Sequence, residues 1–148
     1  MKRITLAILT VAILGGCATK SGTQALKTED TRACAQNFTY DGSFWKGRKY
    51  KTNVIMKKVS KKTAMTRASR YLLKDGWTIA NSNNELGIIS ASQTVSFGQG
   101  KTVPLNISIE PKKTGIKVDI TFATSGGVTA PLESIVSQFC SVVEAVEG

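Results

Sequence analysis

No histidine occurs anywhere in the 148-residue chain. That removes the commonest general base and the commonest metal ligand at neutral pH. Cysteines number only three, at Cys17, Cys34 and Cys140. Without histidine they are too few to fill a tetrahedral zinc site. Acidic residues are scarce, 10 against 20 Lys and Arg, which leaves a net charge of +10. Asp75, Glu85, Glu110 and Asp119 are scattered over turns and polar faces, and nothing pairs them as acid and base. No catalytic set, metal site or cofactor site is legible, so the chain reads as a non-enzyme. Long apolar runs are also missing after Leu14, so nothing downstream has the roughly 20 apolar residues that a membrane-spanning helix needs.

What is present begins with an anchor. Lys2 and Arg3 precede an apolar run from Ile4 to Leu14, followed by Gly15-Gly16-Cys17. The run has the length of a signal peptide. Leu14-Gly15-Gly16-Cys17 resembles the bacterial lipoprotein signal, the lipobox. The small residues at 15 and 16 let an extended backbone enter a peptidase, and Cys17 offers a thiol for lipid attachment. The resemblance implies cleavage after residue 16, lipidation of Cys17, and an outer-membrane address, since Ala18 rather than aspartate follows the cysteine. Several acyl chains would make the attachment lasting, because one alone binds marginally. Residues 1–16 are thus expected to be the signal peptide, 17–37 the lipidated cysteine and a flexible tether, and 38–148 a single domain facing the periplasm.

With Cys17 lipidated, Cys34 and Cys140 remain in an oxidising compartment where disulfides persist. A bridge between them would join the start of the domain to its last helix. The alternative is two free thiols.

Hydrophobic periodicity predicts the order β-α-β-β-β-β-α. Tyr50 to Lys57 alternates as a first strand. Ser60 is placed to cap a helix in which Ala64, Met65, Ala68, Tyr71 and Leu72 share one face. Gly76 stands where that helix needs a left-handed residue. Trp77–Ala80 reads as a short strand, Asn81–Asn84 as a turn, and Leu86–Val95 as the returning strand. Val103, Leu105, Ile107 and Ile109 then alternate with polar residues. After a turn over Pro111–Gly115, Ile116, Val118, Ile120 and Phe122 do the same, so the sheet has one wet face. Pro104 cannot donate to a ladder, which places that strand at an edge or leaves it paired only from its far end. Thr129 is the expected cap of a last helix striped by Leu132, Ile135, Val136, Phe139, Val143 and Val146, with Cys140 on the border of the stripe. The expected fold is α+β, a two-layer sandwich with a mostly antiparallel sheet of about five strands and two helices on one face. Phe38, Tyr40, Phe44 and Trp45 form a lead-in that either packs on the domain edge or offers a stacking surface.

Charge is distributed unevenly. From Gly42 to Lys74 there are eleven basic residues and no acidic one. Lys57, Lys58, Lys61 and Lys62 crowd a helix start, where the dipole disfavours cations. Together with Arg67, Arg70 and Lys74 they form a candidate partner-binding face for an anionic partner. Candidates are an acidic envelope protein, anionic lipid or a cell-wall polymer. Nucleic acid is the weakest, because an envelope-anchored domain rarely meets it and no binding motif appears. The alternative is a solvated face that keeps a small protein soluble.

Two motifs lead nowhere. Ser43-Phe44-Trp45-Lys46 and Lys113-Thr114-Gly115 match S-x-x-K and K-T-G of penicillin-binding proteins, but the chain is too short for that fold and lacks S-D-N. A third pattern carries further. Leu72-Leu73-Lys74-Asp75-Gly76, then Trp77-Thr78-Ile79, then Gly87-Ile88-Ile89-Ser90-Ala91 resembles the repeated unit of BamC-like lipoproteins. The resemblance implies a helix-grip fold and protein-binding rather than enzymatic work. The expectation is a non-enzymatic outer-membrane lipoprotein, an accessory or scaffold subunit of an envelope complex. The alternative is a lipoprotein binding a lipid or small apolar ligand between the sheet and the last helix.

Overall fold

The computed structural model describes residues 22–96 and 100–148. Cys17 and the segment expected to be a signal peptide lie outside the described residues. Seven strands and three helices are found among the described residues. This corrects the expected five strands and two helices. The strands are β1 (Gln24–Ala25), β2 (Thr39–Ser43), β3 (Gly47–Lys57), β4 (Thr78–Asn83), β5 (Ile88–Thr94), β6 (Thr102–Lys112) and β7 (Gly115–Thr124). The helices are α1 (Ala33–Gln36), α2 (Lys61–Lys74) and α3 (Leu132–Glu147).

The surplus elements, β1, α1 and β2, all precede Gly47. Two of them lie in the segment expected to be a tether. Their sequences carry no period because tertiary partners, not amphipathic patterns, hold them. β1 pairs with β2 over two positions only. α1 is one turn long and buries Cys34 and Ala35.

One antiparallel sheet runs in the order β1-β2-β3-β7-β6-β5-β4. Alternate residues of its long strands are buried: Tyr50, Thr52, Val54 and Met56 on β3, Ile116, Val118 and Ile120 on β7, and Val103, Leu105, Ile107 and Ile109 on β6. The helices cover that face, and the other face stays wet, lined by residues such as Lys51, Asn53, Asn106 and Glu110. β6 is an interior strand, which overturns the edge reading of Pro104. The proline is tolerated because β7 pairs with β6 only from Leu105 onward, so Pro104 faces a single neighbour, Ser92 of β5.

Helix boundaries follow local chemistry. The Thr63 amide donates to Ser60 Oγ at 3.1 Å, capping α2. Gly76 takes φ +80° just beyond it. Thr129 does not cap α3; Pro131 stands at the N-cap with no side-chain hydrogen bond. A proline has no amide to satisfy and a φ already suited to helix entry. Cys140 is fully buried rather than on a border. It forms a disulfide with Cys34 across 106 residues of sequence, with Cα atoms 5.3 Å apart. Two expected turns are shorter or later than predicted. β4 runs on to Asn83 through a bulge between Ile79 and Asn81. The pairing of Lys112 with Gly115 leaves a turn of Lys113-Thr114 alone. In both places backbone pairing extends the strand through polar residues that face solvent.

The sheet therefore has two distinct ends. The β2–β3 turn, the β5–β6 connection and the start of α3 lie at one end. The β6–β7 turn, the β4–β5 turn and the start of α2 lie at the other. No helix among the described residues is long and apolar enough to cross a membrane.

Candidate functional site: the outer face of α2

The seven basic residues singled out from sequence occupy different environments. Lys57 closes β3 on the wet face of the sheet. Lys58 follows with φ +65°, a left-handed conformation that turns the chain sharply into α2. Such a φ is uncommon outside glycine, asparagine and aspartate. Lys61 reaches back across the β4–β5 turn, donating from Nζ to the Glu85 carbonyl at 2.8 Å. Arg67 donates to the Val146 and Glu147 carbonyls at 3.0 and 2.6 Å. It satisfies acceptors that the end of α3 would otherwise leave open.

Lys62, Arg67 and Arg70 are brought together, with Thr63 and Thr66, around one shallow depression on the outside of α2. The spacing 63, 66, 67, 70 is one helical face. The two threonine hydroxyls were not singled out from sequence, although a helical wheel places them there. Lys74 lies apart, about 18 Å along the helix from Lys62 at 1.5 Å per residue. It sits in the last turn, where the dipole favours a cation. None of the seven forms an ion pair among the described residues. The depression thus presents the Lys62 ammonium and the Arg70 guanidinium beside threonine hydroxyls, with no carboxylate among its lining residues. That combination suits carboxylate or phosphate oxygens.

Several carboxylates are engaged elsewhere. Asp30 accepts from Arg32 through both oxygens, and Arg32 also reaches Glu144 at 2.7 Å. The Arg32 guanidinium holds the Asp30 carboxyl below its ordinary pKa. Lys112 does the same for Glu110, chiefly through its hydrogen bond. Asp75 accepts from Trp77 Nε1 at 3.1 Å and Gln138 Nε2 at 2.7 Å. Ser43 Oγ accepts from the Lys46 amide at 3.3 Å, a turn contact that accounts for the serine of the S-x-x-K match. Among the described residues no three His, Cys, Asp or Glu side chains stand close enough to hold a metal ion.

An apolar cavity of about 140 Å³ lies between the sheet and α3, walled by Trp77, Leu105, Phe122, Ile135 and Phe139. Gln93 and Gln138 also line it. A second depression, toward Thr124 and Val128, shares Gln93, Val103 and Phe122 with it.

The aromatic lead-in divides in two. Phe38 is buried against Phe139, and Tyr40 stacks on Tyr50, as packing residues. Phe44 and Trp45 do not join them; they project from the β2–β3 turn.

No protein-family model matches the chain, and no curated protein matches it.

Proposed function

We propose that this protein is a non-enzymatic, lipid-anchored accessory subunit of a bacterial envelope complex, which captures an anionic partner on the outer face of α2. The observation that carries the reading is the uncompensated charge of that face: Lys62, Arg70 and Lys74 have no carboxylate partner among the described residues. The lipobox at Leu14-Gly15-Gly16-Cys17 supports the outer-membrane anchor. Topology bears on which anion is meant. β1 runs antiparallel to β2, so the chain preceding Gln24 leads from the β2–β3 end of the sheet. Lys57, Lys58, Lys61 and Lys62 stand at the opposite end, about 35 Å away along the 11 residues of β3. An acidic protein surface therefore fits the cluster better than the lipid leaflet that holds the anchor.

The test replaces Lys62, Arg70 and Lys74 with glutamate and leaves Arg67 in place, because Arg67 closes the end of α3. Whole-cell crosslinking followed by co-purification should lose the partner, while the thermal unfolding midpoint stays within a few degrees of wild type. Undiminished capture by the triple variant sinks the reading. A parallel Cys17→Ser chain asks whether capture needs the anchor.

A second reading rests on the apolar cavity under α3. At about 140 Å³ it matches a single aromatic ring in size. It falls below the several hundred Å³ of most ligand pockets. A lipid tail would have to continue into the neighbouring depression. Mass spectrometry of gently extracted protein should then show a co-purifying lipid beyond the acyl anchor. A bare protein mass counts against it.

A further inference from the structure

We propose that the β2–β3 turn is a membrane-docking wedge, which seats Trp45 and Phe44 in the interface of an anionic phospholipid bilayer and fixes how the domain stands on it. The proposal rests on the lipid-anchor reading for the presence of a bilayer at that end of the molecule.

Trp45 is 84 % exposed and Phe44 38 %, the only aromatic side chains so exposed among the described residues. Their rings meet edge-to-face at 72° with centroids 5.0 Å apart. That arrangement makes a wedge, not the flat platform on which a sugar or base stacks. Trp is amphipathic and favours the boundary between head groups and acyl chains.

The turn is braced from behind. The Gly127 amide donates to the Phe44 carbonyl at 2.9 Å. Gly126 packs so closely on the Trp45 carbonyl that a Cβ would collide with it. Gly47, at φ +91°, approaches the Thr124 carbonyl as tightly. A braced turn loses little conformational entropy when it is buried.

Charge around the wedge has one dominant sign. Lys46 follows Trp45, and Arg48 and Lys49 open β3. Lys101 lies at the same end, next to the start of β6. None of the four is ion-paired among the described residues. The buried Arg48 Nε has no hydrogen-bond partner among them either. Asp41, opposite Lys49 in the β2–β3 ladder, is the acid set against these charges in that ladder. Each basic residue held near an anionic leaflet adds attraction.

The chain's course supplies the remaining argument. Gln24 pairs with Tyr40 in an antiparallel register, so the chain preceding Gln24 leads toward the β2–β3 turn. Five residue steps separate Gly22 from Cys17, at most about 18 Å when extended. A lipid on Cys17 would keep the wedge within reach of the bilayer throughout.

The test uses the full chain, purified from membranes and reconstituted into vesicles of phosphatidylethanolamine and phosphatidylglycerol, with or without lipids brominated in the upper acyl chain. The second tryptophan, Trp77, is 5 % exposed and serves as the internal reference. Trp45 emission, taken as the difference between wild type and Trp45→Phe, should shift to the blue and be quenched by the brominated lipids. Replacing Lys46, Lys49 and Lys101 with glutamate should reduce the quenching. Flotation with the vesicles reports the anchor separately. A chain that floats while Trp45 stays unshifted and unquenched overturns the wedge and leaves the anchor standing. A chain that neither floats nor shows quenching overturns both. Protection of Trp45 that appears only when other envelope proteins are present, never with protein-free vesicles, overturns the wedge in favour of a protein contact.

Discussion

Arg67 and Arg70 stand three residues apart on α2, carry the same charge, and contribute differently. Arg67 spends its guanidinium on two backbone carbonyls at the end of α3. Arg70 contacts nothing comparable. Arg67→Ala should therefore cost about 1.5–3 kcal/mol, the range for hydrogen bonds made by charged groups. Arg70→Ala should stay within about 0.5 kcal/mol, as surface substitutions usually do. Urea unfolding of the two variants separates them, and equal effects would mean that the α3 contact is not what Arg67 supplies. The sequence could not have told these arginines apart. A helical wheel places both opposite the apolar stripe, and only the position of a second helix decides which one caps it. Ser60, Gly76 and the Cys34–Cys140 pair were legible, because their reasons are local or leave few alternatives. Thr129 was misread because a nearby proline made a side-chain cap unnecessary.

Among the elements, α1 shows how far an unpatterned segment can be ordered by its contacts. Thr52 Oγ1 donates to the Cys34 carbonyl at 2.7 Å, and Asn37 Nδ2 to the Asn53 carbonyl at 2.7 Å. Arg32 joins Asp30 to Glu144 on α3. Because the folded state holds the Asp30 pKa below its ordinary value, its contribution is complete above the unfolded carboxyl value, near 3.9. It is lost as pH falls through the lower folded value. Carbon-detected NMR titration should place the Asp30 midpoint below that of a free aspartate, and Arg32→Ala should bring it back up. An Asp30 midpoint unmoved by Arg32→Ala would show that the arginine is not its cause. Neither α1 nor β1 nor β2 announces itself in the sequence. One turn of helix and a two-residue strand are too short for any hydrophobic period, and the Asp-Gly within β2 reads as a turn. The two strands of the long β6–β7 hairpin were legible, since each alternates over four successive apolar positions, whereas its short turn and the interior place of β6 depend on pairing that periodicity does not show. The candidate site was legible as a charge bias but not as a place, because which lysines meet depends on where β3 hands over to α2.

Taken whole, the molecule is closed by contacts that are remote in sequence. The disulfide joins two buried cysteines 106 residues apart. Cys34→Ala with Cys140→Ala should cost about 2–5 kcal/mol, the usual range for a native bridge in a small secreted domain. Urea midpoints with and without reductant check this, and a reductant-insensitive wild type would overturn it. The sheet shares the same remoteness. The interior neighbour of β3, at residues 47–57, is β7, at residues 115–124. While a chain emerges from its N-terminus, β3 has only the short β2 hairpin beside it, and Cys34 has yet to meet Cys140. Pairings across such separations form late, since the loop must close before any contact rewards it. The first half of the domain is thus built to wait. If the chain is exported as the proposed lipid anchor requires, that delay is useful: the topology that locks the finished domain would also keep a chain threaded through a membrane open until its last strand arrives.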